Sequence, residues 1–158
     1  AFSSAARNTP SVGAGIGHAV LGKVWRNNPW SRAYTAAAGY DSARSAGWLS
    51  GSAVMVRADV YREIGGWDDD YFMYFEDVDL GWRIGQAGYE NRYEPSISLI
   101  HSGAHSTHGR AAVVERAMTA SAIRFMRKRY AGFWATPLRW AIVAGLRVRG
   151  WTTLRAAR

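Results

Sequence analysis

The chain has 158 residues, 48% of them hydrophobic and 13% aromatic, with 20 Lys and Arg against 12 Asp and Glu for a net charge of +8. That length and apolar content suit one domain with its own core and argue against a disordered chain, and the lack of Cys excludes a disulfide framework or a thiolate metal site. No apolar run reaches the ~18 residues that span a bilayer, and the opening AFSSAARNTP lacks the charged-then-apolar order of a secretion signal.

Charge is unevenly spread. Ten of the 12 acids lie between Asp59 and Glu94, whereas 11 of the 20 cations lie from Arg110 onward, where Glu115 is the only acid. One end therefore seeks an anionic surface, and nucleic acid, anionic lipid and a diphosphate all satisfy charge alone.

Residues 1–46 are rich in Gly, Ala, Ser and Asn, with Pro10 and Pro29 as breakers. Ile16, Val20 and Val24 recur at helical spacing, and Asn27-Asn28-Pro29 ends that piece as a turn. Gly13, Gly15 and Gly17 give only a weak phosphate-loop signal, since no strand precedes them and no Lys-Ser/Thr follows. Trp48-Leu49-Ser50-Gly51-Ser52 leads into AVMVR, read as a short apolar strand, with Gly51 marking a close backbone approach to a strand or a ligand. Trp48 has two readings, core packing or stacking on a sugar ring. A short helix over residues 58–64 stops at Gly65-Gly66.

The chemistry concentrates in GGWDDDYFMYFEDVDLGWR, residues 65–83. Aromatics at this density bury readily, whereas carboxylates do so only when paired, hydrogen-bonded or metal-bound, so a polar pocket with aromatic walls is expected. Asp68 to Asp70 read as turn chemistry. Glu76 and Asp77 read as a site, because they open a helix running to about Gln86, where backbone N–H groups hold a carboxylate in its proton-accepting form. Asp79 and Arg83, four apart, are spaced for a surface ion pair; Arg83 is also a candidate phosphate contact.

Asn91 to His101 reads as two extended pieces broken by Pro95, with His101 closing the second. His105 and His108 extend a histidine series, but without Cys or H-E-x-x-H they do not make a zinc motif. Residues 111–130 form an amphipathic helix with Val114, Met118, Ala122 and Phe125/Met126 on one stripe. Thr136-Pro137 reads as an N-cap and first helical residue, opening a basic, Trp-bearing helix. That helix suits an anionic membrane surface or a solvated basic face.

From Trp48 to about Thr107 the sequence GWLSGSAVMVRADVYREIGGWDDDYFMYFEDVDLGWRIGQAGY with IHSGAHST resembles the acceptor half of inverting family 2 glycosyltransferases. Within them it is most similar to the rhamnosyltransferases of actinobacterial cell-wall assembly. The resemblance implies an α/β, GT-A-like fold, here its second half with a helical basic C-terminal tail. It implies three segments: 1–46 a variable connection, 47–110 the acceptor and catalytic half, and 111–158 the basic tail. It implies transfer of L-rhamnose from dTDP-rhamnose to a polyprenyl-diphosphate-linked N-acetylglucosamine. Asp77 matches the catalytic base and Glu76 its acidic neighbour, while Trp48, Ser50, Gly51, Asp79 and Arg83 are candidates for acceptor contact. His101 matches a histidine that completes a divalent metal site, Mn²⁺ or Mg²⁺, in some members; a structural role is the other reading.

Members of that family carry a nucleotide-binding half and a metal-binding D-x-D that this sequence does not show. The expectation is thus a fragment, a truncated gene product or one piece of a split enzyme, without turnover alone. The expected partners are a nucleotide sugar, a lipid-linked sugar acceptor and an anionic membrane surface, with the protein cytoplasmic and peripheral on the inner face of the plasma membrane. Nucleic acid is not expected, since the acidic aromatic centre repels phosphate. A basic nucleic-acid-binding module or a non-enzymatic membrane-associated module is the alternative.

Overall fold

The computed structural model describes residues 5–11, 13, 29, 41–99 and 110–156. The helical piece expected over 16–25, Gly15, Gly17 and the three histidines at 101, 105 and 108 lie outside them. The chain divides into two compact units, Ala1–Trp67 with Asp77–Ile100, and Asp68–Glu76 with His101–Arg158.

The first unit is built on two short antiparallel ladders. Strand β1 (Ala6–Arg7) pairs with β3 (Trp48–Leu49), with Ala6 opposite Leu49 and Arg7 opposite Trp48. Strand β2 (Arg44–Ala46) pairs with β4 (Asn91–Tyr93), running from Arg44 opposite Tyr93 to Ala46 opposite Asn91. Helices α1 (Ala58–Glu63) and α2 (Glu76–Gln86) follow the sequence pattern closely. Val60, Leu80 and Ile84 form the buried core, with Val56, Tyr61, Ile64, Trp67 and Tyr89 packed against it. Helix α2 ends where Gly88 adopts φ +87°, a left-handed turn that only glycine enters without strain. The Gly88 N–H then reaches the Gly85 carbonyl at 3.1 Å and the Tyr89 N–H the Ile84 carbonyl at 3.1 Å, closing the helix's last carbonyls.

Two expected strands are not found among the described residues. AVMVR has no ladder partner among the described residues; Val54 and Val56 are half-buried, whereas Met55 is 96% exposed. Alternation is present there, but a strand also needs a neighbour for its N–H and C=O groups. After β4 the chain turns at Pro95 and Ser96, and residues 97–99 join no strand; residues 100 and 101, which close the second expected piece, lie outside the described residues.

The second unit sets α3 (Ala111–Arg129) against α4 (Thr136–Ala156), which follows a 3-10 turn at Phe133–Ala135. Gly150 admits the close approach: a Cβ there would sit 2.6 Å from the Thr119 hydroxyl. Thr136 is not the expected cap, because the 3-10 turn runs straight into the helix; its Oγ1 accepts from Arg139 instead. Phe125 is fully buried, with Ala122, Met126 and Val143 also in the core.

Residues 68–76 pack onto α3. The Phe75 and Phe125 rings lie 5.7 Å apart, and the Ser121 hydroxyl donates to the Met73 carbonyl at 2.8 Å. Arg124 and Lys128 each reach the Asp68 carboxylate at 2.9 Å, and Arg124 also pairs with Asp70. The turn reading of Asp68 holds as well: its carbonyl accepts the Tyr71 N–H and its Oδ1 the Asp70 N–H.

Burial alone would raise the Asp68 carboxyl, but Lys128, the Asp70 amide and Arg124 together hold it below its ordinary value. A lowered folded-state value means the stabilisation is present above the unfolded pKa and lost as pH falls through the folded one. Asp68→Asn should therefore lower stability by about 1–2 kcal/mol at pH 7, discounted for the part-exposed arginine. Denaturant melts should show the parent–variant difference vanishing in acid.

Candidate active site

Asp77, the second residue of α2, faces a backbone rather than a side chain. Its Oδ2 accepts the Gly51 N–H at 2.9 Å and its Oδ1 the Val78 N–H at 2.8 Å. The close approach expected at Gly51 is thus to Asp77: a Cβ at Gly51 would lie 3.5 Å from that of Asp77. Each carboxylate oxygen keeps one bond, which fixes the plane of the group and leaves lone pairs for an incoming hydroxyl.

Burial raises the Asp77 carboxyl above the ordinary aspartate range; the Gly51, Val78 and Asp77 amides and the Arg7 charge pull it down without cancelling that. The result is a more proton-seeking carboxylate than an exposed aspartate. Arg7, on β1, was not singled out from the sequence. Its role depends on β1 pairing with β3 across some forty residues, a contact that no local pattern signals.

The loop carrying Gly51 is held by β3. The Ser50 N–H donates to the Ala5 carbonyl at 2.9 Å, and the Ser50 and Ser52 hydroxyls lie 3.0 Å apart. Trp48 fixes β3 to α2, because Gly81 presents no side chain there. A Cβ on Gly81 would meet the Trp48 Cβ at 2.6 Å and its Cα at 2.7 Å. The Trp48 indole N–H donates to the Asn8 carbonyl at 3.1 Å, and the Asn91 amide donates to the Gly81 carbonyl at 2.8 Å.

Asp79 and Arg83 turn inward, not outward as the sequence suggested. Asp79 is wholly buried, and Arg83 holds its Oδ2 through Nε at 2.7 Å while Nη1 donates to the Ile64 carbonyl at 2.6 Å. The expected surface ion pair is therefore a buried one linking α2 to the end of α1. Glu76 opens α2, ends the Asp68–Glu76 segment of the second unit and is half-buried.

The aromatics are shared between the two units. Trp67 joins the first unit's core, Tyr71 is buried and Phe75 packs on Phe125 in the second unit, and Phe72 is 79% exposed. Large rings are drawn to whichever apolar interior is nearest, and here there are two. Tyr74 and Phe75 take φ +64° and +67°, a left-handed pair immediately before the Glu76-Asp77 acids. Non-glycine residues in that region carry about 1–2 kcal/mol of strain each, which concentrates at sites where geometry matters.

The described residues do not make the metal site that the family resemblance implies. No group of three or more acids or histidines is placed to hold an ion among them. Both D-x-D sequences are engaged otherwise, Asp68 and Asp70 by Arg124 and Asp79 by Arg83. His101 lies outside the described residues.

A family model described as glycosyl transferase family group 2 matches residues 21–157. An N-acetylglucosaminyl-diphospho-decaprenol L-rhamnosyltransferase of Mycobacterium tuberculosis is 43% identical over 152 residues, covering 96% of this chain and 50% of that protein. Rhamnosyltransferase WbbL of Escherichia coli is 32% identical over 82 residues, 52% of this chain and 31% of its own. A pre-mycofactocin glycosyltransferase of M. tuberculosis is 34% identical over 70 residues, 44% of this chain and 14% of its own. The chain spans about half the length of the rhamnosyltransferase that it matches almost end to end. No solved structure matches it.

Proposed function

The chain belongs to the family 2 glycosyltransferases, and on that premise we propose that it serves inverting transfer of L-rhamnose from dTDP-rhamnose to a polyprenyl-diphosphate-linked N-acetylglucosamine. The observation that carries this reading is the Asp77 carboxylate, oriented by the Gly51 and Val78 N–H groups where burial raises its proton affinity. The relative acting on N-acetylglucosaminyl-diphospho-decaprenol supports the acceptor class.

In this reaction Asp77 takes the proton of the acceptor hydroxyl as its oxygen attacks the anomeric carbon. The bond from that carbon to the nucleotide diphosphate breaks on the opposite face, and configuration inverts. Glu76, adjacent in sequence, positions the acceptor. A base need not be strongly basic here, because the hydroxyl becomes acidic as its new bond forms. We propose that the divalent cation of the family draws its ligands from outside the described residues, and no step here runs through it. The protein acts peripherally, at the membrane face where a lipid-linked acceptor is presented.

The test is transfer by a protein that joins this sequence to a nucleotide-binding half, given dTDP-rhamnose and a short-chain polyprenyl-diphosphate N-acetylglucosamine. The expected product has its anomeric configuration inverted by NMR, and the 158 residues alone are expected to give none. A retained configuration, or turnover by the 158 residues alone, would contradict the reading.

A further inference from the structure

Helix α4 has two apolar sides, and its own unit uses one of them. Val143 and Gly150 are buried, flanked by half-buried Ile142 and Leu146, on the side that meets α3. At 3.6 residues per turn, Pro137, Trp140, Ala144, Val148 and Trp151 form a second stripe on the far side. All five are exposed, with Trp140 at 64%, Val148 at 60% and Trp151 at 53%. Just ahead of the helix, Phe133 and Trp134 are 81% and 92% exposed, their rings edge to face at 5.7 Å. An exposed apolar face of this extent marks a binding surface more often than a solvated one.

The composition says what binds. Large rings with Trp dominant suit the interface between water and hydrocarbon, where an apolar body and a polar N–H are both satisfied. Arg147 is exposed beside the stripe, and the Arg155 guanidinium lies 3.8 Å over the Trp151 ring. Over residues 110–156 there are ten Lys and Arg and a single acid, Glu115; Arg124 and Lys128 are paired with Asp68 and Asp70 and Arg149 with Glu115, so the attraction for an anionic surface falls on the remaining cations, Arg147 and Arg155 among them. A second copy of the same face would bring arginines against arginines. No helix among the described residues is long and apolar enough to cross a membrane, so α4 on a bilayer would lie along its surface.

We propose that this stripe of α4, with Phe133 and Trp134 ahead of it, docks on an anionic bilayer, the tryptophans at headgroup depth and Arg147 and Arg155 on lipid phosphates. The inference rests on side chains alone and stands or falls apart from the transfer reading.

The test is co-sedimentation of the full chain with phosphatidylcholine vesicles, with and without about one-third phosphatidylglycerol. Binding should require the anionic lipid, and tryptophan emission should shift to the blue. Arg147→Gln and Arg155→Gln should each weaken binding about fivefold. Trp134→Ser with Trp140→Ser and Trp151→Ser should abolish the blue shift and weaken binding at least tenfold. These residues are exposed, so circular dichroism should be unchanged; should the triple variant unfold, Trp134→Ser alone, outside the helix, carries the test. Equal binding to both vesicles, binding kept by the tryptophan variants, a lipid-free dimer lost in them, or tighter binding to DNA than to vesicles would overturn the proposal.

Discussion

Replacing Asp77 with asparagine should lower the turnover of the protein carrying this sequence about 10²–10⁴-fold, the range for removing a positioned general base. Acceptor and donor KM should change little, because Asn keeps the shape and one of the two backbone hydrogen bonds. The fold should survive, and the pH dependence of stability gives an independent signature. Burial raises the folded-state value of Asp77 above its unfolded one. Such a group contributes stability below the unfolded pKa that is lost as pH rises through the folded value. Asp77→Asn removes that pH-dependent loss. Thermal melts should show the variant gaining on the parent as pH rises through the Asp77 titration. A variant that loses activity and stability together at every pH would instead mark Asp77 as structural.

The second large effect is on stability. Arg83→Ala should destabilise the protein by about 3–5 kcal/mol, because it strands a wholly buried Asp79 carboxylate without its cation. The Ile64 carbonyl loses a donor at the same time. Replacing both members by apolar residues, Asp79→Leu with Arg83→Met, should recover most of the loss, since a buried pair often contributes little net stability. Chemical denaturation of the single and double variants measures this. A substrate-binding Arg83 would behave differently, with KM raised in Arg83→Ala and the denaturation midpoint unmoved.

Helix α2 shows what the sequence made legible. Its start at Glu76, its end at Gln86 and its stop at Gly88 are written in local signals: acids at the amino end, an apolar side and a glycine beyond. The same local signal could not tell whether Asp79 and Arg83 face water or core. Four-residue spacing reads alike in both cases, and the deciding partner, the Ile64 carbonyl, comes from another helix. Likewise AVMVR carries strand residues but finds no ladder among the described residues, whereas the unremarkable Arg44–Ala46 pairs with Asn91–Tyr93 across nearly fifty positions. Asp77 was legible as a candidate from its place in FEDVD. Its actual partners, the Gly51 amide and the Arg7 charge, depend on β3 and β1 meeting, which no window of the sequence displays.

The most direct measurement is the titration of the Asp77 side-chain carboxyl by ¹³C NMR, set beside the acidic limb of the turnover–pH profile. A carboxyl that titrates above the ordinary aspartate value of about 3.9, at the same pH where turnover rises, is the result that a half-buried, amide-oriented base requires. A carboxyl titrating at or below that value, or a limb that stays in place after Asp77→Glu, would contradict the assignment of Asp77 as the base.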